Sequence, residues 1–111
     1  MLVLQAVPVG NLNAFKLLRA RIREASTWSW SNKARTRLKH VARPKGGHIE
    51  VSSAGGVLVA HIKPKDKTDQ FYLTEKFIGR LIGWFEGDLL SVNIQFVPDP
   101  PAPKRRRRAR K

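Results

Sequence analysis

Residues 89–96, LLSVNIQF, alternate cleanly. Leu90, Val92, Ile94 and Phe96 fall on one side of an extended chain, and Ser91, Asn93 and Gln95 on the other, the period of a half-buried strand. HIEVSS (48–53) and VLVAHIK (57–63) read as two further strands joined by a glycine turn at Gly55-Gly56. LVLQAVPV (2–9) is apolar on both faces. Pro8 cannot donate to a ladder, which expects that strand at an edge or Pro8 among its last residues. Two stretches carry helical spacing instead. In NLNAFKLLRARIREA (11–25), Phe15, Leu18, Ile22 and Ala25 form one stripe behind asparagine caps. In LTEKFIGRLIGWFEGD, Thr74 is the expected N-cap, Phe77, Ile78, Leu81, Ile82 and Phe85 the apolar face, and Gly87 the stop. PKDKTDQ (64–70) reads as a loop by composition.

TWSWSNKARTRLKHVARP (27–44) fits both periods: Ala34, Leu38, Val41 and Ala42 cluster on a helix, while Ala34, Thr36, Leu38 and His40 share one face of a strand. A strand over roughly 35–43 is the expected form, with Trp28 and Trp30 in the parity of Leu38 and so in the core or at its rim. PKGG (44–47) then closes a hairpin. The order becomes β-α-β-β-β-α-β, and two helices with single apolar stripes need one sheet face to cover. The expected fold is a two-layer α+β sandwich with a mainly antiparallel sheet, two helices on one face and the other face open.

Loop lengths suggest registers. PKGG places Ala42 opposite Ile49, His40 opposite Val51 and Leu38 opposite Ser53; the glycine turn places Val51 opposite Ala60 and Ile49 opposite Ile62. Both registers put Leu38, Ala42, Ile49, Val51, Leu58, Ala60 and Ile62 on one face, and Arg35, Arg37, Lys39, Glu50, Ser52, His61 and Lys63 on the other.

Charge changes the picture most. The 111 residues suit one compact domain, expected over 1–97, followed by a Pro-rich spacer and a disordered Arg-rich tail over 98–111. The formal net charge of +14, from 22 basic and 8 acidic residues, favours polyanionic partners. Residues 1–47 hold ten basic side chains against Glu24, net +9; residues 48–97 hold five against six acids, net −1; the tail holds seven against Asp99, net +6. The fold therefore has a basic half of its own. There is no cysteine, which excludes disulfides and thiolate chemistry. The apolar opening MLVLQAVPVG lacks a basic flank and is too short to span a bilayer. An intracellular protein is expected: cytoplasmic and nucleoid- or ribosome-associated, or nuclear in a eukaryote, without membrane insertion.

Same-face residues on a strand lie about 6.6–7 Å apart, so Arg35, Arg37 and Lys39 would match successive phosphates of an extended nucleic-acid backbone, which the planar arginine fork binds well. Lys16, Arg19 and Arg23 form a basic stripe on the first helix, Arg43 and Lys45 flank the PKGG loop, and Lys104, Arg105, Arg106, Arg107, Arg108, Arg110 and Lys111 form the tail. No aromatic residue interrupts the expected open face, which points to backbone or shape recognition rather than base stacking. The α-β-β-β-α middle of the chain resembles, in element order, the double-stranded RNA-binding domain. That resemblance implies contacts from RPKGGH and TEKFIGR, with Lys45, His48, Lys76 and Arg80 available. The chain departs from that family in having Glu75 and a single Lys76 where the second helix would open on a lysine cluster, and in its added strands at both ends.

Signals for an enzyme fail. His40, His48 and His61 lack metal-ligand spacing, and neither a nucleophile motif nor a phosphate-cradling loop is present. His61 faces Glu50 as a surface pair. Gly79 and Gly83, four apart, suit close packing against the sheet or in a homodimer. The expectation is a small non-enzymatic nucleic-acid-binding protein without cofactors, RNA somewhat ahead of DNA, in which a basic folded surface holds the phosphate backbone and the tail adds affinity. The rival is an assembly module whose tail docks on an acidic protein or serves as a targeting signal.

Overall fold

The first strand in the chain is an inner strand of the sheet. In the computed structural model, which describes residues 1–98, β1 (Leu2–Pro8) runs between two later strands, and Leu4 and Ala6 are buried beneath the helices. Apolar residues on both faces belong to this inner position. Pro8 is its last residue, at a register shift against the neighbouring strand, where the missing N–H costs no ladder bond. The chain continues through α1 (Ala14–Ile22), β2 (Trp28–Trp30), β3 (Arg37–His40), β4 (Gly47–Ala54), β5 (Val57–Pro64), α2 (Lys67–Phe85) and β6 (Leu89–Phe96). The six strands form one sheet in the order β2-β3-β4-β5-β1-β6, every neighbouring pair antiparallel. Both helices cover one face. Leu18 and Ile22 of α1, with Leu73, Phe77, Leu81 and Phe85 of α2, meet Leu38, Ile49, Val51, Leu58, Ala60 and Ile62 of the sheet. The expected two-layer α+β sandwich holds, with one short strand added.

That strand, β2, comes from the ambiguous segment. Residues 28–40 form a hairpin in which Trp28 lies opposite His40 and Trp30 opposite Leu38. Asn32 closes the loop: its Oδ1 accepts from the N–H groups of Thr36 and Arg37, each at 3.0 Å, and its Nδ2 donates to Thr36 Oγ1 at 2.8 Å. The Asn side chain satisfies backbone groups that would otherwise call for a longer ladder. Trp28 is fully buried, edge-on to His40 and Phe77, and Trp30 packs at the rim.

Two boundaries differ from expectation. The strand expected over 35–43 stops at His40, because His40 Nδ1 accepts from Ala42 N–H at 3.1 Å and Arg43 N–H turns back to His40 O. The β3–β4 register is consequently Leu38 opposite Ile49, four positions from the expected one. An even slip leaves every side chain on its expected face. The β4–β5 register, Val51 opposite Ala60 and Ile49 opposite Ile62, is as expected. Second, α2 begins at Lys67 and not after Thr74: Asp66 is its N-cap, accepting from Asp69 N–H at 2.9 Å. PKDKTDQ is thus the approach and first turn of a helix, and Asp66-x-x-Asp69 is the signal that composition hid. Gly79 and Gly83 face open space, with nothing within 4 Å of where a Cβ would stand, so neither serves helix–sheet packing.

Gly47 begins β4 at φ +102°, and a side chain there would fall on the Lys63 carbonyl oxygen. Only glycine permits both the conformation and the close approach of β5.

Candidate nucleic-acid interface

The basic residues of the first half gather at the β2–β3 end of the sheet and on the adjoining helix, and one side chain joins the two places. Arg19 of α1 lies over the Phe15 ring at 5.0 Å and donates from Nη2 to the carbonyl oxygen of Ala34 at 2.9 Å, in the β2–β3 loop. Lys16 and Arg23 stand exposed about a turn before and after it; Arg23 is the C-cap of α1. The helix stripe and the loop carrying Lys33 and Arg35 thus form one surface. Arg19 itself is a half-buried bridge in that surface rather than a freely presented cation.

Arg35 departs from its expected role. It precedes β3 and holds φ +55°, the one non-glycine residue with positive φ among those described. It therefore does not continue the two-residue spacing of Arg37 and Lys39, and the three-phosphate track along one strand reduces to those two. The left-handed turn instead leaves Arg35 exposed in the β2–β3 loop.

On the open face, Arg37, Glu50 and His61 lie side by side across β3, β4 and β5. The Glu50 carboxylate does not serve His61. It lies 3.4 Å from Arg37 Nε and 3.4 Å from His48 Nε2, and the His48 hydrogen bond, followed by Lys63 and Arg37, holds its pKa below the ordinary carboxylate value despite some burial. Lys39 lies opposite Ser29, and Lys63 opposite His48. Among the described residues Glu50 is the acid of this face. Asn32, Thr36, Ser52 and His61 line a shallow polar depression beside Arg37.

Arg43 sits on the helix side. Its Nη1 meets Asp69 Oδ1 at 2.9 Å and its guanidinium covers the Tyr72 ring at 4.3 Å, tying the β3–β4 loop to the first turn of α2. Lys45 is exposed on that loop without a carboxylate partner. The tail, Lys104 to Lys111, lies outside the described residues.

Sequence reasoning about aromatic content missed one arrangement. Tyr72, Lys76, Arg80 and Trp84 succeed one another at intervals of four along α2, with Lys76 over Tyr72 at 5.6 Å and Arg80 over Trp84 at 5.6 Å. Arg43 completes the Tyr72 end, and Arg21 of α1, over Trp84 at 5.2 Å, the other. The period of four was legible; the contributions of Arg21 and Arg43 came from packing. The field of this ridge reaches the core. Burial, then Lys76, Arg80 and Arg43, push the His40 pKa below its ordinary value. Because α2 starts at Lys67, Lys76 and Arg80 belong to its middle. The TEKFIGR residues that the RNA-binding-domain resemblance pointed to therefore do not open this helix; Lys67, exposed, does.

No family model, curated protein or solved structure matches this chain. Among the described residues no helix is long and apolar enough to cross a membrane.

Proposed function

We propose that this protein binds nucleic acid through the phosphate backbone, using the surface formed by α1, the β2–β3 loop and the open side of β3, with the Arg-rich tail adding affinity. One observation carries the reading. Of the ten basic side chains in residues 1–47, Arg21, Arg37 and Arg43 have a carboxylate within 4.0 Å; Lys16, Arg19, Arg23, Lys33, Arg35, Lys39 and Lys45 have none among the described residues. Cations that only solubilise a surface are interspersed with acids. A set left without counter-charge on adjoining elements suits an external polyanion, whose bound counterions it would release. The left-handed Arg35 supports the same reading. It holds a conformation that glycine or asparagine adopts at less cost, and its charged side chain is exposed there. The stacked Arg21, Arg43 and Lys76 each have a carboxylate within 4.0 Å, so this ridge adds only Arg80 to the uncompensated set among the described residues.

The test is the salt dependence of binding to duplex RNA, duplex DNA and single strands, for the full chain and for a chain ending at Pro103. The truncated protein should keep a linear log–log slope that Lys33→Glu with Arg35→Glu reduces by about two units on duplex DNA. No binding at low salt to any of the three would end the proposal, and a slope lost entirely with the tail would assign binding to the tail alone. Co-purification with an acidic protein, without nucleic acid, would favour the assembly module.

A further inference from the structure

The sheet ends on its other side at β6, and this edge has the opposite character. Residues 89–96 carry no charge, while the uncompensated cations lie on and around β2 and β3 at the far edge. Long edge strands are ordinarily guarded by charges, prolines or brevity. β2 has three residues; β6 has eight and none of these guards. Its outward backbone groups can be assigned. Met1 and Val97 exchange two hydrogen bonds, each at 2.8 Å, so by the alternation of an antiparallel ladder the groups of Ser91, Asn93 and Gln95 face β1, and those of Val92, Ile94 and Phe96 point away from the sheet.

The side chains match this free edge. Register places Val92, Ile94 and Phe96 beside Ala6, Leu4 and Leu2, on the helix-covered face, yet Phe96 remains 82% and Ile94 41% exposed. A mainly apolar groove runs between β6 and α2, with Leu2, Phe71, Ile78, Ile94 and Phe96 in its lining and Lys67, Gln70, Thr74 and Glu75 along its helical wall; Phe71 is 68% exposed.

We propose that β6 pairs with β6 of a second copy of this chain, antiparallel and two-fold symmetric with Asn93 at the axis, joining the two sheets into one. The strand is self-complementary in this register. Val92 of one copy lies opposite Ile94 of the other and Leu90 opposite Phe96, apolar on apolar, while Ser91 meets Gln95 and Asn93 meets Asn93. The outward-pointing groups of Val92 and Ile94 then exchange hydrogen bonds with one another. An axis normal to the sheet leaves both helix layers on the same side, so Phe96 of each copy lies against Leu90 of the other and the apolar strips of the two β6 strands become continuous. At ~200 Å² per phenyl side chain, the exposed parts of Phe71 and Phe96 offer about 300 Å² per copy. For a pair these rings therefore hold at most roughly 600 Å², to which Leu90, Ile94 and the paired backbone add, against the ~1,000 Å² of a specific interface. Charge favours a second copy as the occupant. Pairing by neutral edges sets the two basic regions of residues 1–47, net +9 in each copy, at opposite ends, and the antiparallel arrangement starts the two +6 segments that follow β6 at opposite ends of the joined strands. Shortness of β2 closes the assembly at two, because the far edge offers no ladder for a third copy.

The experiment uses the full chain, nuclease-treated, at high salt so that nucleic acid cannot bridge copies. Light scattering should give a two-chain mass that salt does not reduce. Since the chain has no cysteine, Asn93→Cys should form a disulfide-linked dimer under mild oxidation, its Cα atoms falling about 4.5 Å apart, while Ser52→Cys on the same open face should not. Ile94→Lys should give a folded monomer whose melting temperature, unlike that of the wild type, does not vary with protein concentration, and Asn93→Lys, on the other face of β6, should do the same by setting two lysines together. A wild-type monomer at every soluble concentration would overturn the inference. So would a dimer that Ile94→Lys and Asn93→Lys both leave intact, or cross-linking through Ser52→Cys and not Asn93→Cys. Nucleic-acid binding by a strictly monomeric protein would overturn this inference and leave the proposed function standing.

Discussion

Arg19 Nη2 donates to the carbonyl oxygen of Ala34 at 2.9 Å, fifteen positions along the chain. This bond fixes the β2–β3 loop against α1, and with it the position of Arg35. Arg19→Ala should therefore lower stability by about 1 kcal/mol, the usual scale of one hydrogen bond with a charged donor at a partly exposed site. Amide exchange at Thr36 and Arg37 should speed up. Nucleic-acid affinity should fall further than for Lys16→Ala, which removes the same charge without freeing the loop.

Arg35→Gly separates strain from binding. Glycine accepts φ near +55° without the ~1–2 kcal/mol that an L side chain costs there, although a more flexible unfolded chain offsets part of the gain. Thermal unfolding should show equal or higher stability, while binding weakens and its salt slope drops by about one unit on duplex DNA. Stability that falls with unchanged binding would remove Arg35 from the interface.

Gly47→Ala should be severe. The added methyl meets the Lys63 carbonyl oxygen at a φ of +102°, and both strain and clash act on the β4–β5 ladder at the heart of the sheet. A loss of about 3 kcal/mol or more is expected by denaturant titration. Gly79→Ala, facing open space in mid-helix, should stabilise by up to ~1 kcal/mol.

His40 gives the fold an acid sensitivity. Burial, with the cations Lys76, Arg80 and Arg43, lowers its folded pKa below 6.5, and Nδ1 is occupied in accepting from Ala42 N–H. The unfolded chain then binds the proton more readily than the folded one, so His40 favours folding fully above about pH 6.5. That contribution is lost as pH falls from there towards the folded pKa. Melting temperatures between pH 7.5 and 5.5 should decline for the wild type and decline less for His40→Gln. Glu50, whose pKa is also lowered, acts in the same direction only in the carboxylate range, so the two windows are separable.

Much of the fold was legible because it rests on local periods. Both amphipathic helices, five of the six strands and the glycine turn were read from the sequence. Trp28 and Trp30 were placed correctly by parity, although their separate strand was not, because Asn32 and not a glycine or proline closes that hairpin. The start of α2 was missed because Lys67, Thr68 and Gln70 are polar. A helix's first turn can face solvent and draw its stability from a cap and from contacts such as Asp69 with Arg43, which spacing does not encode. Ile94 and Phe96 were assigned to the correct face but not to exposure. Whether a helix reaches over an edge strand depends on where the strand lies in the sheet.

By itself the sequence determined which residues share a face, and it did so robustly. Side chains alternate with a period of two, so the even slip that moved Leu38 from Ser53 to Ile49 left every face as it was. It also determined the charge imbalance and its division along the chain. Tertiary structure alone decided that the first strand lies inside the sheet, that Arg19 reaches Ala34, that Arg21 and Arg80 share Trp84, and that one edge is basic and short while the other is neutral and long. The physical reason is that these are contacts between residues far apart in sequence. Their partners are selected by closing loops and burying area over the whole chain, and a local period carries no record of that.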